Sequence, residues 1–251
     1  MYSIRKEKNR LVLHHHKSHI LHLAQLWPTW MPKLRSPQFG VIVVLFVALT
    51  TLVSTQLTAE MDEAIILYVS NIPSNSNLIS MVTIGITSLG DVVTLVIISI
   101  LLSIIRRTRR QGLILLTTIL LTVILLTYIK PVIARDNPNY LSPFMLSNNS
   151  SGFVIEGDTL SPLSRDYSYP SNHVAISTAF AFIVGYSLNK KSKLAGWLIW
   201  SFPFIVSITR ILLIQHYVTD VIGGFLFGLV VSIIMGNIMH LEREGSFVKS
   251  R

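Results

Sequence analysis

The chain has 251 residues, 51% of them hydrophobic and only 13% charged, and its mean hydropathy is positive, which excludes an ordinary soluble domain and reads as a polytopic membrane protein. It has no cysteine, so disulfides, thiolate metal sites and thiol nucleophiles are excluded and any nucleophile is His, Ser, Thr or a carboxylate. The net charge of +9 is largely local, because residues 1–39 hold seven Lys or Arg against one acid. A basic segment abutting an apolar span fits the anionic inner face of a membrane better than nucleic acid.

Residues 1–40 form a basic tail with Arg5, Lys6, Lys8, Arg10 and Lys17, then Trp27, Trp30 and prolines just before the apolar run. Its charged region is too long for a signal peptide, and no small-residue cleavage site follows. His14, His15, His16, His19 and His22 invite a metal reading, but no acid accompanies them and a solvated or interfacial tail explains them equally well.

The membrane domain is expected over residues 41–239. A first span runs from about Val41 to Leu57, followed by Glu60, Asp62 and Glu63 and a half-apolar segment that suits the interface. A second covers Leu78 to Ile105, with Gly90 and Asp91 partway along, and stops at the cluster Arg106 to Arg110. The third is Gly112 to about Ile129. A long polar connection, 130–172, then separates it from the fourth span, His173 to Leu188, which ends at Lys190, Lys191 and Lys193. Loops of that length without obvious structure usually carry sites. The fifth span, Ala195 to Ile214, contains Pro203 as a candidate kink; the sixth, Val218 to Met239, holds Gly223, Gly224 and Gly228, which permit close helix packing. Residues 240–251 form a short tail.

Six spans put both termini on one side, and the positive clusters make that side cytoplasmic. The opposite, extracytoplasmic side then receives Glu60 to Glu63, the long loop and the turn from Arg210 to Asp220. In that turn His216 and Asp220 are four apart, so on a helix a carboxylate could orient one imidazole nitrogen and leave the other as a nucleophile. Helix capping is the alternative reading of the same pair. The loop adds Lys130 and Arg135 at its start, and Arg165, Ser171, Asn172 and His173 at its end. Cations, a serine and backbone amides at a helix start facing two histidines suit a phosphate ester: one histidine attacks, and the other protonates the leaving oxygen. For Lys130 and Arg165, flanking charge at a membrane boundary is the alternative; for His173 it is an interfacial helix cap.

At these residues the chain resembles the type 2 phosphatidic acid phosphatase superfamily, relatives of vanadium haloperoxidases. Arg210, His216 and Asp220 meet its third motif in full, with Thr209 where Ser is usual; Pro170-Ser171-Asn172-His173 matches the second, with Asn for Gly. The first motif is shifted: Lys130 and Pro138 are in place, Asn137 stands where an arginine is expected, and Arg135 lies two positions earlier. The resemblance covers about Met61 to Met239 and implies an all-α integral membrane protein with its site at the outer face. It makes His216 the nucleophile that forms a phosphohistidine, Asp220 its orienting partner and His173 the acid. Lys130, Arg135, Ser171, Asn172 and Arg210 become phosphate-binding residues, Arg165 an auxiliary cation, and neither a metal nor another cofactor is required. The implied partner is a lipid phosphate or diphosphate in the bilayer. Arg135-Asp136-Asn137-Pro138 and Ser164-Arg165-Asp166 look like the branch that moves phosphate from undecaprenyl diphosphate to lipid A. A catalytically silent, headgroup-binding or partner-binding member is the alternative from another class.

Overall fold

The computed structural model describes residues 31–72, 77–139 and 167–243, and the compact unit that carries the candidate site begins at Lys33. The histidine-rich tail and most of the long loop, including Ser164, Arg165 and Asp166, lie outside the described residues. The regular elements among the described residues are all helical: α1 (Pro37–Ser54), α2 (Ala59–Ser70), α3 (Asn77–Leu89), α4 (Val92–Ile104), α5 (Arg109–Ile133), α6 (Asn172–Asn189), α7 (Lys193–Leu198), α8 (Ser201–Leu212) and α9 (Val218–Ile238), then a 3-10 turn, Leu241–Arg243.

Four stretches are long and apolar enough to cross a membrane: α1, α5, the run Lys193–Leu212 through α7 and α8, and α9. The pair α3 and α4 makes a fifth, bent by 51°. The expected fourth span, α6, is not among them. Most of α6 is buried, including Asn172, His173, Ser177 and Thr178, so its polar side chains face protein and lower its hydropathy without meeting lipid. By contrast α1 buries only Val53 and leaves Val41, Val44, Leu45 and Val47 exposed, as a lipid-facing helix does.

Glycines fix how α6 meets α9. A Cβ added at Gly224 would stand 2.5 Å from the Ser171 carbonyl oxygen, and one at Gly228 would collide with the Ala175 carbonyl oxygen. The two backbones therefore touch, which is the close approach that a small-xxx-small spacing permits. Because 224 faces 171 and 228 faces 175, α6 and α9 run parallel. Helix α1 runs against them: Phe46 stacks on Phe227 at 5.4 Å between ring centroids, and Thr50 shares a 2.8 Å hydrogen bond with Tyr169. Helix α5 is also antiparallel to α9, since Arg110 at its start donates to the Met239 and His240 carbonyls at 3.0 and 2.8 Å. The basic clusters Arg106 to Arg110 and Lys190 to Lys193 thus share one end of the bundle. The ends of α5 and α8 and the starts of α6 and α9 share the other.

Two expected spans are interrupted. The second breaks at Gly90–Asp91, where Asp91 turns extended and accepts from the Val93 N–H to cap α4; a Cβ at Gly90 would press on Val206 at 2.9 Å. Thr94 donates its hydroxyl to the Ser88 carbonyl across the break, at 2.8 Å. The fifth breaks at Ile199–Trp200, not at Pro203. Pro203 sits in the first turn of α8, where its missing N–H is not needed, while its ring opposes a helical carbonyl at Ile199 and ends the helix there.

Helix α2 lies over the end of the bundle that holds the α8–α9 turn. Its Ile66 and Val69 pack with Ile214, flanked by Ile211 and Tyr217, and the same face carries buried Asp62.

Candidate active site

Lys130 lies in the last turn of α5, 1% exposed, and donates to the Tyr167 carbonyl at 2.7 Å. Pro131 follows it, and α5 ends on Ala134 in the left-handed region, φ 53 and ψ 37. That turn reverses the chain and delivers Arg135, whose carbonyl accepts from the Ser168 N–H at 2.8 Å. The segment that leads into α6 is thereby tied to the end of α5.

Ser171 caps the start of α6. Its N–H donates to the Asp220 carbonyl at 3.1 Å, and its buried hydroxyl oxygen has no hydrogen-bond partner among the described residues. Asn172 and His173 follow in the first turn, both buried. Tyr169 just before them is buried too; burial pushes its phenol up to about 12, so it stays a neutral partner for Thr50.

Arg210 lies in the last turn of α8, 2% exposed, and its carbonyl accepts from the Gln215 N–H at 3.1 Å. His216 precedes α9, and Asp220 is the third residue of that helix. The spacing predicts a shared helical face, but the two do not share one, because His216 lies before the helix begins. They meet because the Asp220 carboxylate reaches back over the helix start: Oδ2 accepts from the Tyr217 N–H at 2.8 Å and lies 3.7 Å from His216 Nδ1. The oxygen that caps the helix start is thus the same one that faces His216. At 3.7 Å the pair is close but not hydrogen-bonded, a spacing common in unliganded catalytic sites.

Arg135, the phosphate ligand that the shifted motif predicts, contacts two carboxylates here. Its Nη1 donates to Asp220 Oδ1 at 2.7 Å and to Thr219 Oγ1 at 2.6 Å, and its Nη2 donates to Asp62 Oδ2 at 2.7 Å. The guanidinium also stacks over Tyr217, 4.1 Å from the ring centroid. Asp62 accepts from the Thr219 N–H and hydroxyl as well. Burial raises the Tyr217 phenol against the lowering effect of Arg135. Beside Arg135, a cavity of about 270 Å³ opens between Thr58, Glu63, Asp136 and Tyr217.

Sequence reasoning missed Asp62, Thr219 and Asp91 as parts of this site. Asp91 Oδ1 lies 3.7 Å from His173 Nε2, and a carboxylate inside an apolar span was the signal for it. Asp62 sits between Glu60 and Glu63 and nothing in the sequence separates it from them. Among the described residues no three His or carboxylates group as a metal site would require.

A family model described as the PAP2 superfamily matches residues 111–244, which include Lys130, His173, Arg210, His216 and Asp220. The chain belongs to the PAP2 superfamily. No curated protein matches it. Among solved structures, the PAP2 chain resembles one described as the first transmembrane PAP2 type phosphatidylglycerolphosphate phosphatase from Bacillus subtilis, with a TM-score of 0.64 and 24% identity over 80% of this chain and 94% of that one. At that identity the likeness is one of fold, and it extends the PAP2 architecture to helices before residue 111. The molecule is a multi-pass helical membrane protein.

Proposed function

We propose that this PAP2 chain is a membrane lipid phosphatase or phosphotransferase that cleaves phosphate from a lipid phosphate or diphosphate, such as undecaprenyl diphosphate, through a phosphohistidine on His216. The observation that carries the reading is the junction of α6 and α9, where the Ser171 N–H meets the Asp220 carbonyl at 3.1 Å. It brings His173, His216 and Asp220 to the end of the bundle that also holds Lys130 and Arg210. Nε2 of His216 attacks phosphorus, the bond to the leaving oxygen breaks, and His173 gives that oxygen a proton. Water then attacks the phosphohistidine, His173 takes a proton from it, and the P–N bond breaks to release inorganic phosphate. Asp220 orients His216. Lys130 and Arg210 neutralise the phosphoryl oxygens, the Ser171 hydroxyl and the Asn172 end of α6 add hydrogen bonds, and Arg165 is an auxiliary cation. No metal or other cofactor enters these steps.

In the same reading α6 crosses the membrane as well, giving six crossings with both termini cytoplasmic. The site then faces the periplasm or exterior of a bacterial-type inner membrane. Support comes from the basic clusters, which lie at the end of the bundle opposite the site. The test is phosphate release by purified protein from a panel of lipid phosphates and diphosphates, including phosphatidylglycerol phosphate and undecaprenyl diphosphate. Release that disappears in His216→Ala is the expected result. No release from any of them, or full activity in His216→Ala, overturns the reading.

Transfer to lipid A is the second reading, favoured by the resemblance around Arg135 and Arg165. A phosphohistidine permits it when an acceptor lipid, not water, reaches His216. Labelled undecaprenyl diphosphate supplied with lipid A distinguishes them, because transfer labels lipid A faster than it yields free phosphate.

A further inference from the structure

We infer that Arg135 is a positioning residue, which ties Asp220 to Asp62 and so makes α2 part of the device that orients His216, instead of a ligand for the substrate phosphate. The inference rests on the reading of His216 as nucleophile and Asp220 as its partner.

Asp220 is fully buried, and each of its oxygens has a fixed direction. Oδ2 receives the Tyr217 N–H and faces His216, while Oδ1 receives Arg135 Nη1 at 2.7 Å. A buried carboxylate needs a paired charge, and a neutral imidazole does not supply one, whereas a guanidinium is always charged and offers a planar fork. The other tine of the fork is held at 2.7 Å by Asp62, which is itself 0% exposed and anchored by Thr219. Tyr217 covers one face of the guanidinium, and only 15% of the side chain is exposed. One cation already shared between two carboxylates would have to leave both to reach a phosphoryl group. The bridge also joins three elements, the chain after α5, the start of α9, and α2, and it adds to the Thr219–Asp62 hydrogen bonds that already tie α9 to α2. Rotation of the Asp220 carboxylate away from His216 therefore requires breaking its hydrogen bond from an arginine that Asp62 of α2 holds in place.

The two roles predict opposite signs at Asp62. Kinetics are measured with dioctanoyl phosphatidic acid in detergent micelles, and orthovanadate inhibition reports the phosphate subsite. If Arg135 positions Asp220, Arg135→Gln and Asp62→Asn each lower kcat, by about tenfold or more for the arginine, with KM and vanadate inhibition within roughly threefold of wild type. In an Asp220→Asn background Arg135→Gln then costs about twofold or less, because its partner is already gone. Arg135→Lys, which keeps the charge but not the fork, recovers part of kcat. If instead the guanidinium binds phosphate, Arg135→Gln weakens vanadate inhibition, its loss adds to that of Asp220→Asn, and Asp62→Asn strengthens vanadate inhibition by releasing the arginine; any of these overturns the inference. Histidine-selective 15N spectra give a readout that needs no turnover. The His216 signals, assigned by their loss in His216→Ala, move in Arg135→Gln in the direction they move in Asp220→Asn; signals that Arg135→Gln leaves in place overturn the inference. A wild-type protein that turns over no lipid phosphate overturns the proposed function instead, and the spectra still decide the bridge.

Discussion

Nε2 of His173 lies 3.7 Å from Oδ1 of Asp91, so the break between α3 and α4 presents a carboxylate to the histidine proposed to protonate the leaving group. A negative charge there attracts the positively charged, proton-bearing imidazole that a general acid must be. Asp91 also caps α4. Asn caps a helix about as well as Asp, so Asp91→Asn isolates the charge. With the Asp91 side chain 32% exposed, the pair is screened to about 1 kcal/mol, or roughly fivefold in kcat. The expected result is that loss with an unchanged unfolding temperature, while Asp91→Ala loses a further ~1 kcal/mol of stability with the cap. Unchanged kcat in Asp91→Asn would leave the carboxylate as a cap alone.

The two histidines have different expected signatures. His216→Ala abolishes turnover, whereas His173→Ala slows it by about a hundredfold to ten-thousandfold, the usual worth of a general acid. Acid-labile phosphate trapped on wild-type protein and absent from His216→Ala is the direct observation. Phosphate trapped equally well in His216→Ala assigns the nucleophile elsewhere.

Backbone contact between α6 and α9 makes Gly228 sensitive to any side chain. An added Cβ meets the Ala175 carbonyl oxygen and lies 2.9 Å from Thr178 Cβ, so Gly228→Ala forces the helices apart at a cost of about 1–3 kcal/mol. Thermal unfolding in detergent reads the loss. Activity falls with it, because the same two helices carry His173 and Asp220; Gly85→Ala, where an added Cβ meets nothing within 4 Å, is the matched control. Equal unfolding temperatures for the two variants would contradict this packing.

Topology follows from the separation of basic clusters and site. Reporters fused at either terminus are expected in the cytoplasm, and one inserted after Ser150 outside. A cytoplasmic signal from the Ser150 reporter would place the loop on the wrong side for an outer-face substrate.

Ala134 ends α5 with φ 53, a region where Cβ crowds the following carbonyl by about 1–2 kcal/mol. Ala134→Gly relieves the crowding, but it also gives the unfolded chain more freedom. The expected net change in stability is under ~1 kcal/mol, measured by denaturation, whereas Ala134→Val, β-branched in the left-handed region, destabilises by more than the glycine variant changes it.

By itself the sequence determined the class of molecule and named the residues proposed for its reaction. Apolar runs bounded by arginine and lysine clusters are long-range signals that survive without contacts, since membrane insertion reads them segment by segment. Lys130, the Pro170 to His173 run and the Arg210, His216, Asp220 spacing are local patterns, so they were legible as well. Tertiary structure alone decided which charges pair. Asp62 is buried and its neighbours Glu60 and Glu63 are exposed, a difference produced by which face of α2 packs on Ile214, not by the residue type. The sequence offered Arg135 as a substitute for the arginine missing at Asn137, but nothing in it showed that the left-handed turn at Ala134 aims the guanidinium at two carboxylates. The span interruptions at Gly90 and Ile199 were likewise invisible to hydropathy, which averages over a window. They arise where a cap or a proline ring makes ending the helix cheaper than continuing it.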